Sequence, residues 1–132
     1  MSRQIAGQFD IQRMPQPGCD LGDGVHATHV RFEKQFHGAL DAQSVVHMLA
    51  VGTAVAGSAA YVAVERVSGS IEGRRGSFLF QHNGTMDRGT PTLALTVVPD
   101  SGDDELLGLR GQMAIDIVDG EHHYRFDYTL PQ

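Results

Sequence analysis

The stretch from Tyr61 to Gly84, Tyr-Val-Ala-Val-Glu-Arg-Val-Ser-Gly-Ser-Ile-Glu-Gly-Arg-Arg-Gly-Ser-Phe-Leu-Phe-Gln-His-Asn-Gly, constrains the fold most strongly. Glu72-Gly73 is a good two-residue hairpin connection, because glycine takes the left-handed conformation such turns need. With that turn Ile71 faces Arg74, and the ladder continues through Val67–Phe78, Glu65–Phe80, Ala63–His82 and Tyr61–Gly84. Side chains alternate across a strand, so these residues share one face. Beyond Arg74 at the turn, that face is apolar except for Glu65 and His82, which lie on neighbouring strands one pair spacing apart, within reach of each other. A carboxylate and an imidazole on a greasy face are either a costly structural device or a working site. The reverse face, with Val62, Val64, Arg66, Ser77, Leu79 and Gln81, is mixed and suits solvent or a partner.

Two further hairpins agree on the inside. A turn at Arg88-Gly89 sets His82 against Leu95 and Phe80 against Val97, so Leu93, Leu95 and Val97 extend the same face. Asp119-Gly120 is a strong hairpin signal. It pairs Ile115 with Tyr124, Met113 with Phe126, Gly111 with Tyr128 and Leu109 with Leu130. Elsewhere Ile5, Gly7, Phe9 and Ile11 alternate with Ala6, Gln8, Asp10 and Gln12 as a first strand. The Pro-, Gly- and Asp-rich segment from Met14 to Gly24 reads as a loop. A second strand from about Val25 to Phe36 places Thr28, Val30, Phe32, Lys34 and Phe36 on one face. Ser44 to Val55 opens like a helix, but Val45, Val46, Val51 and Val55 favour a strand. Pro99 to Glu105 reads as a tight acidic loop.

The outcome is an all-β chain of about eight strands in meander order. A flat sheet of that kind exposes two edges, and closure into a barrel removes them. The expectation is a single-domain eight-stranded antiparallel barrel over residues 1–132, with a central cavity filled by side chains or by one small ligand. The formal net charge of -6 argues against a nucleic-acid partner, which needs a basic face for phosphate. No signal peptide opens the chain and no apolar run reaches membrane-spanning length. A single cysteine, Cys19, has no internal disulfide partner, which together with the preceding points to a soluble cytoplasmic protein. Cys19 reads as an incidental thiol.

The motif Tyr61-Val-Ala-Val-Glu-Arg-Val-x-Gly-x-Ile-x-Gly-Arg-x-Gly-Ser-Phe-x-x-Gln-His-x-Gly84 resembles the signature of a bacterial family of unknown function. Val97-Val-Pro-x-Ser-Gly102, Glu105-Leu-x-Gly-Leu-x-Gly111, His123-Tyr124 and the closing Tyr128 add to the resemblance, which covers nearly the whole chain. Members of that family are similar in fold to plant allene oxide cyclase, a small barrel with an apolar cavity and a lipocalin-like outline. The resemblance implies a barrel that self-associates, with a dimer favoured, and implies no established activity. The chain departs from it at Asp103-Asp104, where Gly-Thr-Gly is expected after Ser-Gly, and at Arg13 in place of an aromatic.

The candidate site follows from the inward faces. Glu65 and His82 are the candidate acid–base pair, because imidazole titrates near neutral pH and a buried carboxylate must be paired or neutral. Tyr61, Lys34 and Tyr124 are candidate polar contacts to a ligand, with Tyr128 on the same face. Phe78, Phe80 and Phe126, with Leu95 and Met113, form the expected apolar wall. No metal is expected: His26 and His29 point to opposite faces, as do His122 and His123, and no cysteine pair assists. No cofactor motif is present. Three functions stay open: a binding module for one small apolar or amphipathic molecule, an isomerase or cyclase using Glu65 and His82, and a structural barrel that self-associates.

Overall fold

The computed structural model describes residues 2–131 and contains eight strands: β1 (Ser2–Gly22), β2 (Val25–Gly38), β3 (Leu40–Gly52), β4 (Ala59–Ile71), β5 (Arg74–Asp87), β6 (Thr90–Val97), β7 (Arg110–Val118) and β8 (Glu121–Thr129). They close in chain order into one antiparallel barrel, with β1 pairing β8 from Ser2–Thr129 to Phe9–His122. A short 3-10 turn, Asp104–Leu106, interrupts the β6–β7 connection. No helix among the described residues is long and apolar enough to cross a membrane.

The hairpin registers are those the turns demand. Glu72 and Gly73, Arg88 and Gly89, and Asp119 and Gly120 all have positive φ, the geometry of a two-residue turn that matches strand twist. Glu65 pairs with Phe80, Ala63 with His82, Phe80 with Val97, and Met113 with Phe126. The ladder between β7 and β8 begins at Arg110–Thr129, so Leu109 and Leu130 lie just outside it.

The expected loop from Met14 to Gly24 is not a loop. β1 continues to Gly22 and pairs with β2 as far as Gly22–Val25, with register shifts between Gln16 and Cys19 and between Asp20 and Gly22. The hairpin turns on Asp23 and Gly24, both at positive φ, the same Asp-Gly signal as at 119–120. Pro15 and Pro17 are tolerated because β1 has a strand on one side only beyond Phe9, and a free edge is where a sheet accepts proline. Cys19 lies in this extension, exposed as a free thiol. The segment after Ser44 is strand, as β-branching suggested, and β3 begins earlier, at Leu40.

One half of the barrel is solid. Phe36, Leu40, Ile71, Phe78, Phe80, Leu95, Leu106, Leu109 and Phe126 are each no more than 2% exposed. Phe80 and Phe78 meet edge to face at 5.0 Å between ring centres, and Phe126 stacks on Phe78 at 6.1 Å. The acidic loop closes this end and is more than a solvated turn. Leu106 is driven into the core while Asp103 grips β5: Ser77 donates its backbone N–H to Asp103 Oδ1 at 2.6 Å and its hydroxyl to Oδ2 at 2.8 Å. Ser101 Oγ accepts from Leu79 N at 3.0 Å. β6 ends at Val97 and meets β7 at only one pair, Thr96–Gln112, so the loop supplies β5 with partners that the ladder does not. These bonds from Ser77 hold the Asp103 carboxyl below its ordinary value.

At the same end Tyr124 Oη donates to His37 O at 2.8 Å and accepts from Leu40 N at 3.2 Å, tying down the β2–β3 connection. This needs a glycine at position 7, where a Cβ would lie 2.6 Å from that hydroxyl oxygen and 2.3 Å from His37 O.

Candidate functional site

The other half of the barrel is open. A cavity of about 260 Å³ is lined by residues from all eight strands: Phe9 and Ile11, Phe32 and Lys34, Val46 and Met48, Tyr61 and Ala63, His82, Leu93, Ile115 and His122. Beyond it a second space of about 310 Å³ runs outward past Met48, Tyr61 and Leu93, which border both, and past Ala50, Ala59, Gly84, Met86 and Pro91. Tyr61 lies over Gly84, where a Cβ would approach its ring to 2.3 Å, so the chain leaves room there for the tyrosine between the two spaces. A larger depression of about 520 Å³ lies against β1–β4 and is lined mainly by outward residues such as Asp10, Gln12, Glu33, Gln35, Gln43 and Arg66. The heads of Lys34 and Ser44, which also border it, are engaged at Glu65 inside the barrel.

Glu65 sits beneath the inner cavity, fully buried. Its Oε1 takes a hydrogen bond from His82 Nε2 at 2.6 Å and one from Lys34 Nζ at 3.3 Å, and its Oε2 takes the Ser44 hydroxyl at 2.6 Å. Four strands in a row, β2 to β5, contribute one member each. The alternation that makes the interior apolar also points these groups at one another, since Lys34 pairs with Ser44 and Ser44 lies one spacing from the position opposite Glu65. Lys34 is 7% and His82 6% exposed, so both border the cavity while leaning on the carboxylate. The Lys34 ammonium also lies 4.8 Å from the centre of the Phe9 ring and 5.7 Å from that of Phe36, a favourable cation–π setting.

The electrostatics favour an ionised Glu65. Burial pushes its carboxyl up, but the His82 hydrogen bond, the charges of Lys34 and His82 and the Ser44 hydroxyl outweigh that and hold it below the ordinary 4.5. Burial, then the charge of Glu65, push the Tyr61 phenol up, so Tyr61 stays a neutral donor and acceptor. A carboxyl lowered by folding contributes stability that is fully present above its unfolded value of about 4.5 and is lost as pH falls through the folded value. Acid titration of the unfolding free energy is expected to show a loss beginning below about pH 4.5. In Glu65→Gln this component should vanish, and urea unfolding between pH 7 and pH 3 measures the difference. Equal slopes in the two proteins would contradict it.

Of the residues expected at the site, Glu65, His82, Lys34 and Tyr61 come together. Tyr124, Phe78, Phe80 and Phe126 lie in the packed half: the tyrosine hydroxyl is spent on His37 and Leu40, and the three phenylalanines fill the interior against one another. Neither Leu95 nor Met113 lines the open space; both belong to the same packed cluster. Tyr128 donates to Glu72 at the closed end; burial first, and then this bond, raise its phenol to about 12. Ser44 was not foreseen, because the identity of its strand was ambiguous. His122 was not foreseen as a cavity residue either; its ring packs at 5.1 Å on Phe9, across the β1–β8 closure. On the outer surface His29 and His47 meet at 2.8 Å between ring nitrogens, a pairing that only the β2–β3 register reveals. No group of three or more metal-ligating side chains occurs among the described residues.

Comparison with known proteins agrees with this architecture. Residues 5–128 match the family described as "Protein of unknown function (DUF3224)". The crystal structure of a protein of unknown function from that family, from Shewanella oneidensis MR-1, superposes with a TM-score of 0.93 at 42% identity, covering 100% of both chains. No curated protein matches.

Proposed function

The chain belongs to the DUF3224 family, and we propose that it binds one small, mainly apolar molecule in the open half of its barrel. The observation that carries this reading is the division of the interior: one half packed solid with phenylalanines, the other an apolar cavity ending on a charged cluster. A barrel serving only as a scaffold has no use for a buried Lys–Glu–His group, since apolar side chains of similar size would fill the space at less desolvation cost. Apolar walls with a few convergent polar groups are the usual form of a small-molecule site. The cavity, at about 260 Å³, is small by that standard, just below the roughly 300–1,000 Å³ typical of ligand pockets. It suits a compact ligand or the buried end of a longer one.

Native mass spectrometry of freshly purified protein tests this directly, with identification of whatever is released on denaturation. A bound apolar molecule is the expected result. In a second test butylbenzene should bind the protein, and Ala63→Phe, which fills the cavity beside His82, should weaken binding at least tenfold while the fold is kept. Equal binding by both proteins would place the ligand elsewhere and overturn the reading. The same mass spectrum reports oligomeric state. The exposed Leu49, Val62 and Val64 on the outer face of β3 and β4 favour a dimer.

A further inference from the structure

On the footing that the cavity is a binding site, we infer that its ligand is a neutral carbonyl compound bearing an acidic hydrogen beside the carbonyl, and that His82 and Lys34 interconvert its keto and enol forms. The charge balance points to a neutral ligand. Lys34 is the one lysine or arginine lining the cavity, no carboxylate lines it, and Glu65 beneath already neutralises Lys34. A further charge would enter without a counter-ion, at a high desolvation cost.

The hydrogen-bonding capacity left over defines the head group. Lys34 Nζ has three N–H bonds and spends one on Glu65, so it can donate to a ligand oxygen. A carboxylate only accepts, so His82 Nε2 must carry the hydrogen in its bond to Glu65. In the neutral ring Nδ1 then holds a lone pair. It has no protein partner, and the only shielded side-chain nitrogen or oxygen lacking one among the described residues is Arg31 Nε. Nδ1 therefore opens onto the cavity that His82 lines. A donor for oxygen and a base for hydrogen stand side by side, both leaning on the same oxygen of Glu65.

The reaction needs no further reagent. His82 Nδ1 takes the proton from the carbon beside the carbonyl. The C–H electron pair becomes the carbon–carbon double bond, and the carbonyl π pair moves onto oxygen, where the Lys34 N–H groups stabilise the charge. The imidazolium, still hydrogen-bonded to Glu65 and balanced in charge by the enolate itself, returns the proton to that oxygen or to a carbon of the enolate. Glu65 touches no ligand atom; it is a positioning residue that holds the ring and its tautomer. The groups facing His82 are Tyr61 and Glu65 from β4, Lys34 from β2, Ser44 from β3 and His122 from β8, while β6 and β7 present only Leu93, Leu95 and Ile115.

The test is hydrogen–deuterium exchange at the α-carbons of 4-phenylbutan-2-one in D₂O, followed by NMR, with butylbenzene as the carbonyl-free control. The protein is expected to accelerate exchange about 10²-fold over the same concentration of imidazole, the lower end of general acid–base catalysis. His82→Gln should return the rate to background while butylbenzene still binds. Glu65→Gln should lower the exchange rate at saturating ketone while the butylbenzene affinity is kept; a purely structural Glu65 would change the two together. If butylbenzene binds and the ketone exchanges only at the imidazole rate, the keto–enol chemistry is overturned and the binding site stands. If neither compound binds, the binding site falls as well. The unmodified protein alone decides between these outcomes, whatever the stability of the variants.

Discussion

Glu65→Ala is expected to destabilise the protein by about 3–5 kcal/mol, the usual consequence of removing one partner from a buried ion pair. The effect comes less from the lost bonds than from what remains. Lys34, 5% exposed at its side chain, and His82, 6% exposed, keep their polar groups inside the barrel with no carboxylate to meet them. The Ser44 hydroxyl loses its acceptor at the same stroke. Replacing the cluster as a unit should behave differently. Lys34→Met, Glu65→Leu and His82→Phe together restore an apolar interior, and such exchanges are often neutral or stabilising. Urea unfolding of the single and triple variants measures both, the single variant alone showing a large fall in midpoint. If the triple variant is as unstable as Glu65→Ala, the cluster is a requirement of the fold rather than a device retained for function. Thermodynamics thus separates a cluster that the barrel needs from one that its occupant needs.

Phe126→Ala should cost a comparable amount, about 3–5 kcal/mol, through the void left by a large core side chain. Phe126 is fully buried and meets Phe80 at 5.5 Å, Tyr128 at 5.5 Å and Phe78 at 6.1 Å between ring centres. Neighbours held by a closed ladder cannot collapse into the space. Ile115→Ala makes the informative contrast. Ile115 lies on β7, two residues from Met113, the cross-strand partner of Phe126, yet it lines the open cavity. Its methyl groups border space that is already empty, so truncation adds little new void and should cost well under the roughly 2–5 kcal/mol of a buried Ile→Ala change. Chemical denaturation of the two variants settles the matter. Similar losses would mean that both halves of the barrel are equally packed in solution.

Much of the site is legible in the sequence. The Glu65–His82 meeting followed from one Glu-Gly turn and the two-residue period of a strand, because a hairpin turn sets its own register. Lys34 was placed on the right face by alternation alone. Ser44 was not, because its strand is joined to β2 through the single residue Ala39, with Gly38 at positive φ, a connection that carries no two-residue turn signal. The β1–β2 extension was misjudged for a related reason. Pro15 and Pro17 read as loop formers, and only the absence of a neighbour on one side of β1 makes them acceptable in a strand. Asp103 was read only as part of a tight acidic loop, since nothing local shows that β5 lacks ladder partners where β6 leaves it.

What the chain determines by itself is therefore local and pairwise: the all-β class, three positive-φ turn pairs with their hairpin registers, the inward face, and the meeting of one carboxylate with one imidazole. Turn chemistry and alternation act over a few residues, and they are written directly in residue order. The tertiary structure alone decides how the barrel closes through β1 and β8, that Lys34 reaches across β3 to Glu65, and that aromatic rings fill one half of the interior and leave the other open. Those outcomes depend on distances between strands that do not pair and on how side-chain volumes sum within a closed wall. Both are properties of the whole arrangement rather than of any segment of the chain.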